Sequence, residues 1–370
     1  MPTTRLTKAQ IHWFRLRRSG LVKPLGSIEQ AAHQLIGIQA QMLPAANVAF
    51  WNRATGCTLA VLEGARLTER TLVRFWGQRD TVHMFASKDW PLLHAALAER
   101  QSLLRNRLEK AGVLADFRRL VARTGKKLAG RTLTYDDVSS KSLQAKLDTL
   151  AIPYVVFMNL VRDGVACHGR EQGAHSHFVH REDWLPDLEW APPSADEAHA
   201  ELALRYLAAY GPAQAHDLAF WFGTTLAKAR QWLDGAAARC RLATVDGDTF
   251  WYRKADQRAL LTEPPTRSRW PVRLLYRFDP LLLGTKDKSW LIDSANYKKV
   301  WRAAAHVEPV LLVAGRIQGT WRYDRRARGI DIRVKPFKKL TRTVEGAVER
   351  QARSLARFLE LPLGGLILDD

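Results

Sequence analysis

Residues 201–252 read E-L-A-L-R-Y-L-A-A-Y-G-P-A-Q-A-H-D-L-A-F-W-F-G-T-T-L-A-K-A-R-Q-W-L-D-G-A-A-A-R-C-R-L-A-T-V-D-G-D-T-F-W-Y. Glu201 to Tyr210 has helical spacing of its apolar residues and stops at Gly211-Pro212. His216 to Phe222 is a second, shorter helix ended by Gly223. Thr224 or Thr225 can cap a third, Leu226 to Ala236, which sets Ala229, Trp232 and Leu233 on one face. From Arg241 the pattern changes to strict alternation, and Asp246-Gly247 supplies the positive-φ pair of a tight hairpin. Three short helices followed by a two-stranded ribbon make a winged helix.

The same grammar recurs upstream. Lys8 to Ser19 is amphipathic and ends at Gly20; Ser27 can cap Ile28 to Ile36, with Gln30 as its capping-box partner. After G-I-Q-A-Q-M-L-P (37–44), Pro44 suits the first turn of a helix over Ala45 to Ala54. A further helix is expected near Thr68 to Trp76, before the alternating strand Thr81 to Phe85. Tyr135 to Asp163 gives two more helical patterns, the second entered at Pro153. Val165 to Arg170 and His177 to His180 then read as a second wing with alternate residues facing solvent.

Beyond Pro264-Pro265 the chain turns β-rich. Arg273 to Phe278, Pro309 to Ala314, Arg316 to Tyr323 and Gly329 to Lys335 read as strands, and Glu345 to Leu359 as a closing amphipathic helix. The expected class is α+β, mainly α: tandem winged-helix units in a C-shaped arrangement with a β-rich C-terminal region. The expected units are 1–100, 101–190 (a basic helical region and the second wing), 195–260 and 261–370.

With 370 residues, 46% hydrophobic and 25% charged, the composition is that of an ordinary globular protein. A net charge of +20 is not ordinary, and it points to an anionic polymer, most often nucleic acid. Arg100 to Arg131 holds ten Lys or Arg against two acids. Within it Arg118, Arg119 and Arg123 are candidate phosphate contacts. The connection after Tyr323 puts Arg325, Arg326 and Arg328 on a hairpin tip, with Arg316 and Arg322 on the strand leading to it. No apolar run approaches the ~18 residues that span a bilayer. Met1 to Gln10 lacks a hydrophobic signal core, so a cytoplasmic, nucleoid-associated protein with no membrane partner is expected.

Three scattered cysteines form no C-x-x-C pair. Cys167 and His168 with His175, His177 and His180 match no defined ligand spacing, and no P-loop, GxGxxG or HExxH is present, so neither metal nor cofactor is expected. The sharper chemical signal is Gln39 and Gln41. In a helix they would point about 200° apart, whereas in an extended segment they share one face. Two neutral amides on one face can position a water and a polar substrate atom.

Four stretches carry a resemblance: I-Q-A-Q at 38–41, R-D-T-V-H at 79–83, L-L-Y-R-F-D-P-L-L-L-G at 274–284 and H-V-E-P-V-L-L-V-A-G-R-I-Q-G-T-W-R at 306–322. In this order over nearly the whole length, the chain resembles the AlkZ-type winged-helix DNA glycosylases, which remove alkylated bases and unhook interstrand crosslinks. Gln41 places it with the Q-Φ-Q branch rather than a sister branch that has Asp there. The His-rich second wing departs from the family pattern of Arg and Gln. The resemblance implies a monofunctional glycosylase for N7-alkylated purines in double-stranded DNA, working in base excision repair. Gln39 and Gln41 would be catalytic and His83 and Trp51 candidates for the lesion pocket, although Trp51 also suits a core position at helical spacing. Nothing in the sequence requires a dimer. The competing reading is a non-catalytic winged-helix regulator, and a third is a basic structural protein of the ribosome or chromosome.

Overall fold

The computed structural model describes residues 3–98, 101–138, 152–171, 176–303 and 306–369. β1 (Thr4–Arg5) leads into α1 (Lys8–Arg18), which opens with a capping box between Thr7 and Gln10. α2 (Ile28–Leu35) starts at Ser27, whose hydroxyl accepts from the Gln30 N–H, and ends at Ile36 in the left-handed region. Gly37, at φ +85°, completes the reversal. A Cβ there would lie 2.4 Å from the Phe85 ring, so only glycine lets the chain pass this close to that side chain.

β2 (Ile38–Gln39) follows, then α3 (Leu43–Trp51) with Pro44 in its first turn, and α4 (Leu59–Leu67). β3 (Leu72–Trp76) and β4 (Val82–Ala86) form a hairpin before α5 (Trp90–Leu97). The helix expected at Thr68–Trp76 is therefore wrong: α4 lies earlier, and Leu72–Trp76 is a strand. α2 packs on β4, while α4 and the later helix Ile152–Arg162 pack on β3. The L-V-R-F-W run of β3 carries apolar residues on both faces and shows no alternation to tell it from a helix.

α6 (Gln101–Lys110), α7 (Leu114–Leu128) and α8 (Ile152–Arg162) precede β5 (Ala166–His168) and β6 (Phe178–His180). The first helical pattern expected after Tyr135 lies mostly in 139–151, outside the described residues; Tyr135–Asp137 is a single 3-10 turn. The second wing exists but is not solvent-facing. Arg74 of β3 pairs with His168, which joins both ribbons into one sheet of order β2-β4-β3-β5-β6. Cys167 is fully buried and His168 is 5% exposed, beneath Trp76 and a Phe157–Phe178 stack with ring centroids 3.9 Å apart. Burial, with Arg74 and Arg66 nearby, holds His168 neutral, well below its ordinary range.

α9 (Ala195–Tyr210), α10 (Ala215–Phe222) and α11 (Leu226–Gly235) with β7 (Cys240–Val245) and β8 (Asp248–Arg253) are the winged helix read from the sequence. Asp246 and Gly247 both have positive φ in the hairpin turn. β1 adds to this ribbon as a parallel third strand on β7, and Leu6, Ile11 and Phe14 pack with Ala243, Val245 and Tyr252.

β9 (Val272–Leu275), α12 (Ser294–Val300), β10 (Val310–Val313), β11 (Arg316–Arg326), β12 (Gly329–Pro336), α13 (Arg342–Phe358) and β13 (Leu363–Leu368) complete the chain. Their sheet has the order β13-β12-β11-β10-β9. β12 and β13 are parallel, and α13 is the crossover such a pair requires. β13 was not anticipated, because Gly364 and Gly365 interrupt its strand pattern.

The C-terminal sheet is locked to α3 by charge. Arg53, one residue past the α3 cap, makes a bidentate pair with Asp279 at 2.8 and 2.6 Å, and both side chains are fully buried. Arg53 also donates to Ala49 O, and Asp279 accepts from the Leu281 N–H. Beside them the Asn52 amide donates to Leu274 O, and the Tyr206 hydroxyl donates to Gly284 O. Removing one partner leaves an uncompensated buried charge. Asp279→Ala is expected to lower unfolding stability in urea by ~3–5 kcal/mol, and the double variant Arg53→Met/Asp279→Leu to recover most of that loss.

Candidate active site

Gln39 lies directly opposite His83 in the β2–β4 pair, so both side chains leave the sheet on the same face. The Ala40 N–H donates to Val82 O at 2.8 Å, which carries the pairing one residue further. The chain then bends into α3. Gln39 is 8% exposed, whereas Gln41 is exposed at that bend. The structure thus gives the two amides different surroundings, one seated in the sheet and one at its open edge.

His83 is 4% exposed and lies nearly parallel to Phe85. Its Nδ1 is 2.9 Å from Thr81 O. A carbonyl oxygen only accepts, so Nδ1 carries the hydrogen, and in the neutral ring Nε2 is the acceptor nitrogen. His83 was a candidate in the sequence with no visible partner, and the fold supplies Gln39. Trp51 was the other pocket candidate. Its ring stacks on Phe358 of α13 at 6.0 Å, beside the Arg53–Asp279 pair.

Sequence reasoning missed the turn between β3 and β4. Arg79 donates through Nη2 to Gln39 Oε1 at 3.3 Å and through Nη1 to Trp221 O of α10. Gln78 donates to Ile36 O at 2.6 Å, and Asp80 is paired with Arg162 of α8 at 2.9 Å. The R-D-T-V-H stretch carried the signal for a strand, but these contacts join residues up to 142 apart and have no local signature.

Among the described residues no group of three His, Cys, Asp or Glu is placed to hold a metal; His175 lies outside them.

The arginines fall into two groups. Arg118, Arg119 and Arg123 are exposed on α7, whose other face buries Phe117, Leu120 and Leu128. Arg118 also borders a cavity of about 810 Å³ with Arg105 and Lys126, and Arg119 pairs with Asp116. Arg325, Arg326 and Arg328 are exposed at the β11–β12 turn. Arg326 pairs with Asp331 at 2.8 Å, and Arg322 lies 3.5 Å from Asp324. Arg316 is held at the base of β11 by Ser289 O at 2.6 Å and by Asp293, far along the strand from the tip.

Behind α10, Lys288 is 6% exposed, donates to Thr285 O and sits 4.6 Å from the Phe220 ring centre. Burial is the main cause that pushes its ammonium down to about 7; Asp217 opposes this and Arg79 contributes to it. The folded pKa lies below the unfolded value of 10.5, so between pH 7 and 10.5 the unfolded chain binds the extra proton. Stability from this group therefore rises with pH across that window. In paired urea titrations, the advantage of Lys288→Met over the native protein is expected to shrink steadily from pH 7 to pH 10.

A family model described as "DNA glycosylase AlkZ-like" matches residues 32–358. A protein of Streptomyces sahachiroi named "Interstrand DNA cross-link repair glycosylase" is 26% identical over 368 residues, covering 94% of this chain and 95% of its own length. The solved structure of Streptomyces sahachiroi DNA glycosylase AlkZ superposes with a TM-score of 0.85 at 24% identity, covering 99% of this chain and 100% of that one, which establishes a shared fold. With the family match spanning most of its length, the chain belongs to the AlkZ-like DNA glycosylase family.

Proposed function

We propose that the protein is a monofunctional glycosylase that hydrolyses the N-glycosidic bond of N7-alkylated purines in double-stranded DNA. It acts as a monomer on the nucleoid in the cytoplasm, in base excision repair, with Gln39 and Gln41 as its catalytic residues. The observation that carries this reading is the pair of amides at the open edge of a sheet, one seated opposite His83 and the other exposed, in a chain of net charge +20.

Alkylation at N7 puts a positive charge on the base, so the base departs as a neutral molecule and the bond is already weakened. The enzyme must hold a water and stabilise an oxocarbenium-like sugar. An amide carbonyl orients the water, and an amide N–H holds a sugar or phosphate oxygen. Glutamine takes up no proton at neutral pH, so this arrangement suits only an activated leaving group. His83 lines the same face.

Crosslink unhooking is part of the proposal. It is supported by the name of the Streptomyces relative and by the exposure of Gln41, since a bulky adduct needs an open site rather than a closed base pocket. The exposed arginines of α7 and of the β11–β12 turn supply phosphate contacts, with Arg316 and Arg322 nearer the sheet.

Incubation with N7-methylguanine duplex followed by hot alkali is expected to cleave the strand at abasic sites. Gln39→Ala with Gln41→Ala should slow release by roughly a hundredfold or more, the scale of losing a preorganised donor. Absence of cleavage, or cleavage indifferent to the double substitution, contradicts the reading. Replacing Arg325, Arg326 and Arg328 by Ala is expected to weaken duplex binding. It should also lower the salt slope of log K by about one for each phosphate left without its arginine, read in a salt titration of affinity.

A further inference from the structure

Arg79 stands outside the Q-A-Q stretch, yet it donates a hydrogen bond to Gln39. We propose that Arg79 is a positioning residue for the reaction, turning the Gln39 carboxamide so that its N–H₂ group faces the substrate. This rests on the reading of Gln39 as a catalytic residue.

The orientation follows from hydrogen-bond chemistry. A guanidinium carries donors and no acceptor, so an amide within reach must present its oxygen. The opposite rotamer would set N–H against N–H. With Oε1 engaged by Arg79 at 3.3 Å, Nε2 lies on the far side of the carboxamide. Gln39 is then a hydrogen-bond donor at the site, suited to a sugar, phosphate or water oxygen. Direct contact between Arg79 and the base would be unfavourable, because a guanidinium and an N7-alkylated purine are both cationic. Its use is through the amide.

Arg79 is itself held rigidly. It and Asp80 have φ of +54° and +55°, a conformation unfavourable for side chains with a Cβ, which persists only where the surroundings fix it. Three elements do so here. The Arg79 Nη1 is bonded to Trp221 O of α10, Asp80 to Arg162 of α8, and Gln78 to Ile36 O at the end of α2. Arg162 is buried, which resists sliding of this turn. The guanidinium therefore spans from the third winged-helix unit to the amide as a strut, and the orientation of Gln39 depends on the docking of α10.

The test is single-turnover base release from N7-methylguanine duplex by Arg79→Met, Arg79→Lys and Gln39→Ala, with duplex affinity and melting temperature measured for each. Arg79→Met is expected to lose about a hundredfold in rate once corrected for the folded fraction, with affinity within about threefold of the native value. Arg79→Lys, whose single ammonium cannot serve both acceptors as the fork does, is expected to fold normally and to lie between. A native rate in either Arg79 variant, or a loss that follows the fall in affinity, overturns the positioning role. If Gln39→Ala is inactive while Arg79→Met or Arg79→Lys is fully active, only this inference fails. If Gln39→Ala releases base at the native rate, the reading of Gln39 fails and this inference with it.

Discussion

A guanidinium and a carboxylate closed off from water hold this molecule in register. Taking either Arg53 or Asp279 out of water alone costs several kcal/mol, so neither is tolerated in the core without the other. Arg53 stands just past α3, and Asp279 lies in the L-L-Y-R-F-D-P segment that leads out of β9. Their pairing forces the C-terminal sheet onto the end of the helix that begins at the glutamine segment. Asn52 and Trp51 complete the junction, bonding Leu274 O and stacking on Phe358. The position of the Q-A-Q bend is set from one side by this lock. From the other it is set by β4 and by Gly37, where close passage over Phe85 leaves no room for a side chain.

The candidate site inherits this rigidity, and its two amides add no charge of their own. Gln39 and Gln41 offer donors and acceptors without a proton acceptor strong enough to ionise water. That restricts the chemistry more than any pocket shape does. A base that leaves as a neutral molecule needs little help, whereas an uncharged base needs protonation or a strong nucleophile, which these side chains do not provide. Exposed arginines stand on α7 and at the β11–β12 turn. Arg79 reaches the site, where it donates to the amide oxygen of Gln39.

Where local chemistry decides structure, the sequence was sufficient. Asp246-Gly247 requires its hairpin, Ser27 and Thr225 accept the N–H groups they were expected to cap, and Gln39 lies in a strand, which ends before the bend at Gln41. Two of the failures share one cause, which is burial on both faces. Leu72–Trp76 and the second wing are covered above and below, so their alternation disappears, and the histidines that looked like a surface feature include one sealed under aromatic rings. Trp51 and His83 were equally ambiguous in sequence. Only tertiary structure sends one to α13 and the other to face Gln39, and only tertiary structure brings Arg79 between Trp221 and the amide.

The central claim is that two neutral amides confine this glycosylase to bases already carrying positive charge. The most direct measurement compares single-turnover release of N7-methylguanine and of hypoxanthine, an uncharged purine of similar size, from otherwise identical duplexes at the same pH. Release of N7-methylguanine with hypoxanthine left intact, at similar affinity for both duplexes, is the predicted result. Comparable release of the two bases would contradict it.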